Sequence, residues 1–134
     1  MADEVARAIA AAKTAAAHDT APPTIFDRII NKQIPSTVVH DDELCLGFKD
    51  ISPQAPTHML LIPKLRAGLT QIRHATADNA PVLGHMMVVA GQLGQKYCPN
   101  GFRLVINDGA DGCQSVYHVH VHILGGRQMN WPPG

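Results

Sequence analysis

Three histidines stand at alternate positions near the end of the chain. His118, His120 and His122 are interleaved with valines in the run YHVHVHIL. On a β-strand, alternate side chains share one face, so we expect the valines to enter the core and the three imidazoles to form a row on the other face. Neighbouring rings would then lie about 6.5–7 Å apart, and protonation of one ring would disfavour protonation of the next.

Such a row can perform phosphoryl-group chemistry. At neutral pH we expect a mixture of neutral and protonated rings. A neutral imidazole is a nucleophile, whereas a protonated one can bind a phosphate oxygen or give a proton to a leaving group. The loop before the row, residues 108–115, contains two glycines and can turn backbone N–H groups toward an anion. Together these features predict a phosphoryl-group site that works without a metal.

Zinc binding is the main alternative, because histidines two positions apart can ligate Zn²⁺. Three rings on one straight strand would span roughly 13 Å, which fits poorly around one ion with Zn–N bonds of about 2.0–2.1 Å. The three cysteines, Cys45, Cys98 and Cys113, form no CxxC pair. We therefore expect no metal and no other cofactor, and free thiols of a protein of the cytoplasm or the nucleus.

The elements that must position these histidines predict an α+β fold. Strands are predicted at residues 37–40, 44–48, 58–62, 102–107 and 116–124. A short helix is predicted behind Thr24, and a long amphipathic helix is predicted to begin near residues 76–78 and to stop before Pro99. The short connections between strands favour a mainly antiparallel sheet of about five strands, with one long helix and one short helix.

Composition and charge restrict the possible partners. The chain has 134 residues, 46% of them hydrophobic, which suffices for one domain with a core. Eleven Lys and Arg balance eleven Asp and Glu, so no basic field favours a nucleic acid. No apolar run approaches the roughly 18–20 residues of a membrane span, and no membrane partner is expected. The alanine-rich start predicts a flexible or frayed extension over residues 1–22, followed by the folded domain at residues 23–134.

The histidine run resembles the signature of the histidine triad (HIT) superfamily, His-φ-His-φ-His-φ-φ with φ apolar. Residues 118–124 match that signature in full. Residues 114–116, 125–127 and 131–134 are most similar to the branch of histidine triad nucleotide-binding (Hint) proteins. The resemblance covers about residues 24–134 and implies the HIT-like fold.

What the resemblance implies is a homodimeric purine nucleoside phosphoramidase. Such an enzyme hydrolyses the P–N bond of adenosine or guanosine 5'-phosphoramidates and releases AMP or GMP. By position, His120 would attack the α-phosphorus and form a nucleotidyl-histidine intermediate. His122 and Ser115 would contact the phosphate and the leaving group, while His118 and His58 would complete the proton network.

The resemblance also implies a nucleotide-binding set. Asp50 would bind the ribose hydroxyls, since a carboxylate can accept from both. Asn107 and the backbone of residues 113–115 would hold the phosphate and the sugar, and Trp131 would lie near the partner subunit's site and influence the choice of leaving group. The implied nucleotide-binding residues are Ile25, Phe26, Ile29, Phe48, Asp50, Ile51, Asn107, Cys113, Gln114, Ser115, His120 and His122.

Several of these residues could have a structural role instead, and the sequence is also compatible with two other functions. Asp50 could cap a turn, Ser115 could be a turn residue, and the apolar residues could belong to the core. Cys113 stands where relatives commonly have glycine, and the extra Cβ is tolerated if its φ is negative. The alternative functions are a dinucleoside polyphosphate hydrolase and a nucleotide-binding scaffold for signalling partners.

Overall fold

Five strands form one antiparallel sheet in this computed structural model, which describes residues 4, 5, 7 and 21–134. The strands are β1 (Val38–Asp41), β2 (Cys45–Lys49), β3 (Thr57–Pro63), β4 (Phe102–Val105) and β5 (Val121–Gly125). Their spatial order is β1-β2-β3-β5-β4, and every neighbouring pair is antiparallel. The predicted α+β fold is confirmed.

Within residues 21–134, two α-helices pack against this sheet, and the first begins at a capping residue. At α1 (Ile25–Ile30), the Thr24 hydroxyl accepts from the Phe26 N–H at 3.1 Å, and Asp27 accepts from the Thr24 N–H at 2.7 Å. This reciprocal cap satisfies N–H groups that the first turn leaves unpaired. The long helix α2 (Ala80–Tyr97) follows a 3₁₀ turn, Ala77–Asn79, so the predicted start near residues 76–78 corresponds to that turn.

Successive side chains of the central strands point to opposite faces of the sheet, and they form one apolar core on each face. The core against α2 contains Cys45, Met59, Leu61, Met86, Val89, Ala90, Leu93, Val121 and Ile123. The core against α1 contains Phe26, Leu46, Phe48, Leu60 and Ile62. Because Leu60 pairs with His122 across β3 and β5, and His58 lies two positions before Leu60, both histidines face the α1 side.

The last strand begins later than predicted. Only Val121–Gly125 pairs in the sheet, so His118 and His120 precede the strand. Continued pairing would place Val119 opposite Pro63, which has no N–H to donate. The Val119 N–H instead donates to the Leu69 carbonyl at 2.7 Å. The prediction of three imidazoles in a straight row on one strand was therefore wrong, although Val119, Val121 and Ile123 are buried as expected.

The last two residues of the predicted extension, Ala21 and Pro22, are attached to the segment after β3. The Arg66 guanidinium donates to the carbonyls of Ala21 and Pro22 at 2.5 and 3.0 Å. Most of the predicted frayed extension, residues 1–22, lies outside the described residues. In the part of the chain that the structure describes, no helix combines the length and apolar character needed to cross a membrane. All three cysteines are free, as predicted.

Candidate active site

A groove on the α1 face of the sheet brings together most of the predicted site residues. Those that line it are Ile25, Phe26, Ile29, Phe48, Asp50, Ile51, Ser115, His120 and His122. Phe26 and Phe48 are only 4% and 3% exposed, whereas Ile51 is 89% exposed. The two aromatic residues thus belong to the core and to the groove wall at once, and Ile51 presents a large apolar side chain to a ligand.

His120 is held as a neutral nucleophile. Its Nδ1 lies 2.8 Å from the carbonyl oxygen of His118, so the Nδ1–H donates to that carbonyl. The lone pair of the neutral ring is therefore on Nε2. Phe26 contacts the ring in a T-shaped arrangement with centroids 5.0 Å apart. Burial lowers the pKa of His120 to about 4, which keeps Nε2 unprotonated at neutral pH.

A second series of hydrogen bonds fixes the proton of His122. The backbone N–H of Gln54 donates to His58 Nδ1 at 3.0 Å, so the proton of neutral His58 is on Nε2. That Nε2 lies 2.8 Å from His122 Nδ1 and 3.4 Å from Asp50 Oδ2. Because His122 Nδ1 accepts, the His122 proton is on Nε2. His120 and His122, with ring centroids 4.9 Å apart, therefore present one lone pair and one N–H donor side by side.

All four histidines of the site have lowered pKa values. Burial lowers the pKa of His58 and of His118, and burial together with the neighbouring His120 and His58 lowers the pKa of His122 to about 3. The predicted mixture of neutral and protonated rings is therefore wrong for the free site, because burial penalises every charged ring. A bound phosphate would favour protonation, so positive charge enters this site together with an anionic ligand.

These shifts predict that the fold loses stability in mild acid. An unfolded histidine has a pKa near 6.5, so the unfolded chain binds protons that folded His120 cannot bind until the pH approaches about 4. The contribution of neutral His120 to the free energy of unfolding is therefore fully present above pH 6.5, and it decreases as the pH falls from 6.5 toward 4. Lowering the pH from 7 to 5 should cost about 2 kcal/mol for His120 alone. Urea unfolding at pH 7 and pH 5 measures this loss of stability. The loss should be smaller in His120→Asn, and an equal loss in both proteins would contradict the prediction.

The ring of His118 lies away from the groove. It is fully buried, its Nε2 donates to the Pro63 carbonyl at 2.8 Å, and it contacts Phe26 in a T-shaped arrangement. Among the described residues its Nδ1 has no hydrogen-bond partner, and Asp27 Oδ1 lies 3.9 Å away. The carbonyl of His118, rather than its ring, contacts His120. His118 is thus placed to position His120 through the main chain.

The loop before the histidines is held by two side-chain amides. Buried Gln114 donates to the carbonyls of Thr70 and Val116 at 2.7 and 3.1 Å and accepts from the Gly109 N–H at 2.9 Å. Asn107 Nδ2 donates to the Gly112 carbonyl at 2.6 Å. Asn107, Cys113 and Gln114 do not line the groove. Their observed contacts shape the loop that presents Ser115.

Cys113 has a left-handed backbone conformation, with φ at 63°. The negative φ under which its Cβ would be harmless is not adopted, because the loop turns back here with the Cys113 N–H on the Ala110 carbonyl at 3.0 Å. A residue with a Cβ pays roughly 1–2 kcal/mol in this region, which explains why glycine suits the position.

Replacing Cys113 by glycine is therefore expected to stabilise the protein. Relief of strain exceeds the extra entropy of glycine in the unfolded chain, and we expect a net gain of about 0.5–1 kcal/mol in the free energy of unfolding. Urea unfolding measures it. Cys113→Ala is the matched control, because it removes the thiol and keeps the Cβ; a gain of equal size in that variant would show that strain is not the cause.

Other groove residues were not predicted. Glu4, Arg7, Ile34, Pro35, Ser36, Lys49, Ser52, Leu60 and Val116 also contribute to its lining. Leu60 could have been found, because it lies two positions after His58 on a strand and must share its face. The Gln54 N–H and the Pro63 carbonyl act through the backbone and leave no signal in residue type. Trp131 is 82% exposed and lies outside the groove of its own chain.

One group of site residues has the composition of a metal site. Asp50, His58 and His122 each place one potential ligand atom within 4.8 Å of the others. These atoms are already joined by the contacts that fix the tautomers of His58 and His122. The contacts among these three residues therefore leave the His122 proton on Nε2, beside the free lone pair of His120.

The chain is similar in sequence and structure to proteins of one known family. The HIT domain family matches residues 31–129. The chain is 59% identical to the 14 kDa zinc-binding protein of Zea mays over 113 residues, which cover 84% of this chain and 88% of that protein. It is 58% identical to adenylylsulfatase HINT1 of Arabidopsis thaliana, over 84% of this chain and 77% of that protein. Among solved structures, a HIT family hydrolase from Legionella pneumophila Philadelphia 1 superposes with a TM-score of 0.79 at 44% identity, covering 84% of this chain and 100% of that one.

Proposed function

The chain belongs to the HIT domain family, and on that premise we propose that it is a nucleotide hydrolase whose substrates are purine nucleoside 5'-phosphoramidates. The observation that carries the proposal is the tautomer of His120. Its Nδ1–H is bonded to the His118 carbonyl and its Nε2 lone pair is free, in a groove with apolar walls. The hydrolases and the adenylylsulfatase among its relatives support the hydrolase class.

The reaction follows from the two protonation states. His120 Nε2 attacks the α-phosphorus, a P–Nε2 bond forms, and the P–N bond to the leaving amine breaks. The amine must leave with a proton. When the anionic substrate binds, His122 takes up a proton; it gives its Nε2 proton to the amine and returns to the neutral form, and the Ser115 hydroxyl is a second donor on the groove surface. Water then attacks the phosphorus of the nucleotidyl-histidine and passes one proton back to His122. The P–Nε2 bond breaks, AMP or GMP is released and the His120 lone pair is restored.

The groove has the composition that a purine nucleoside requires. Phe26, Phe48 and four isoleucines offer apolar surface to a base. Asp50 Oδ1 accepts from the Ser52 N–H at 2.8 Å, so the residue does cap a turn, and this bond orients its carboxylate. The second oxygen can then accept from ribose hydroxyls. We propose a homodimer in which the Trp131 segment of one chain borders the groove of the other.

Adenylylsulfate is a second candidate substrate, favoured by the relative named adenylylsulfatase. It has the same α-phosphorus, and only the leaving group differs. The same attack by His120 would release sulfate, which departs as a stable anion and needs no proton.

Release of AMP from adenosine 5'-phosphoramidate, adenylylsulfate and a diadenosine polyphosphate, each in the presence of a chelator, tests the proposal. We expect kcat/KM to be highest for the phosphoramidate. A preference for the diadenosine compound would overturn the assigned substrate class. Nucleotide binding without turnover of any of the three would favour the scaffold function instead.

A further inference from the structure

We propose that His40, Asp42, Cys45 and His85 form a second site that binds a divalent transition-metal ion, with Zn²⁺ the best match. This site lies where the β1–β2 turn meets α2, and none of its four residues lines the groove. Cys45 belongs to the core on the α2 face of the sheet, opposite the α1 face that carries His58 and His122. The proposal is independent of the proposed hydrolase activity.

Three potential metal ligands converge on one carboxylate oxygen. His40 Nε2 lies 2.6 Å, His85 Nε2 2.7 Å and Cys45 Sγ 3.4 Å from Asp42 Oδ2. The ligand atoms of His40, Asp42 and Cys45 all lie within 4.8 Å of one another. Two imidazoles, a carboxylate and a thiol are the ligand types that Zn²⁺ uses in proteins. Three such groups meet around one point. His85 reaches the same Asp42 oxygen from α2 and can supply the fourth corner of a tetrahedron once its ring shifts toward the other two ligands.

The carboxylate at the centre of this set is held in place by its neighbours. Asp42 Oδ1 accepts from the backbone N–H groups of Leu44 and Cys45 at 2.7 and 2.9 Å, which leaves Oδ2 for the other ligands. Because the turn fixes one oxygen, the second oxygen stays directed at His40 and His85.

Metal binding requires small movements. A tetrahedral Zn²⁺ with bonds of about 2.0–2.3 Å keeps its ligand atoms roughly 3.3–3.8 Å apart, so the two rings must withdraw from Asp42 by about 0.7 Å. Their side chains are 27% and 37% exposed and have room to withdraw. Cys45 is buried, and its Sγ already lies 3.4 Å from Asp42 Oδ2. Because the thiolate is the form that binds a metal, coordination transfers the thiol proton to the buffer.

Titration of the metal-free chain with Co²⁺, and competition by Zn²⁺, tests the site. We expect one ion per chain, the visible absorption of tetrahedral Co²⁺, and a near-ultraviolet charge-transfer band from the Cys45 thiolate. Removing a residue that only hydrogen-bonds to a metal ligand lowers metal affinity about 10–100-fold. His40 and His85 are proposed as ligands themselves, so His40→Phe and His85→Phe should each weaken binding by at least that factor. Both side chains are partly exposed, so both variants should fold, and circular dichroism checks that they do.

His122→Gln is the control, because it removes a member of the Asp50, His58 and His122 set. Binding and the thiolate band should be unchanged in that variant. Absence of the thiolate band in the wild type would overturn the proposal. So would undiminished binding in His40→Phe and His85→Phe, or loss of binding in His122→Gln, which would assign the ion to the groove.

Discussion

Replacement of His120 by asparagine is expected to lower kcat/KM for adenosine 5'-phosphoramidate by about 10⁴-fold or more. The asparagine amide can still donate to the His118 carbonyl, as His120 Nδ1 does at 2.8 Å, so the fold around the groove should be retained. It offers no lone pair to the phosphorus, and without a nucleophile only binding and electrostatic effects accelerate the reaction. Steady-state AMP release by the variant and the wild type measures the loss.

Nucleotide binding separates loss of chemistry from loss of structure. The walls of the groove and Asp50 are unchanged in His120→Asn, so AMP should bind within a few-fold of its wild-type affinity. Turnover that falls by only a few-fold would show that another group attacks the phosphorus. Partner binding that survives in this variant would show that any signalling role is distinct from catalysis.

Replacement of His122 by glutamine is expected to have the second largest effect, and the effect should depend on the leaving group. For phosphoramidates of basic amines we expect kcat/KM to fall about 10²–10³-fold, the usual contribution of a positioned proton donor. For adenylylsulfate, whose sulfate needs no proton, the loss should stay within about threefold. Parallel assays of both substrates measure the difference.

His58→Gln provides a matched control for this interpretation. His58 donates to His122 Nδ1 at 2.8 Å and so places the His122 proton on Nε2. Without that bond the His122 proton can move to Nδ1, and the same leaving-group dependence should appear in a weaker form. Equal losses for both substrates in His122→Gln would mean that the ring binds phosphate in both reactions and donates no proton.

The fold could be predicted from the sequence because its signals are local. Capping by Thr24, the alternation along the strands and the helical spacing of Val89, Ala90 and Leu93 each depend on neighbours within a few residues. Within residues 21–134 these signals gave the five strands and both α-helices, although the long helix begins at Ala80, after a 3₁₀ turn, rather than near residues 76–78. The boundary at Val121 could not be predicted, because it depends on Pro63, a residue 58 positions earlier.

Most residues of the candidate site could be named from the sequence, but the positions of their side chains and their protonation states could not. The residue types and their spacing pointed to His120 and His122, and the resemblance to the HIT superfamily implied Asp50; all three line the groove. The same spacing wrongly placed the ring of His118 beside the other two rings. The protonation states were also wrong, because the lowered pKa values follow from burial, which residue order does not reveal. The left-handed φ of Cys113 likewise depends on how the whole loop closes.

Covalent attachment of a nucleotide to His120 during turnover is tested most directly by intact-protein mass spectrometry. Wild type and His120→Asn are mixed briefly with adenosine 5'-phosphoramidate in the presence of a chelator and quenched under conditions that preserve a phosphorus–nitrogen bond. We expect a mass gain of one adenylyl group on the wild type, mapped to His120, and none on the variant. Rapid AMP release without an adduct, or an adduct that persists in His120→Asn, would contradict it.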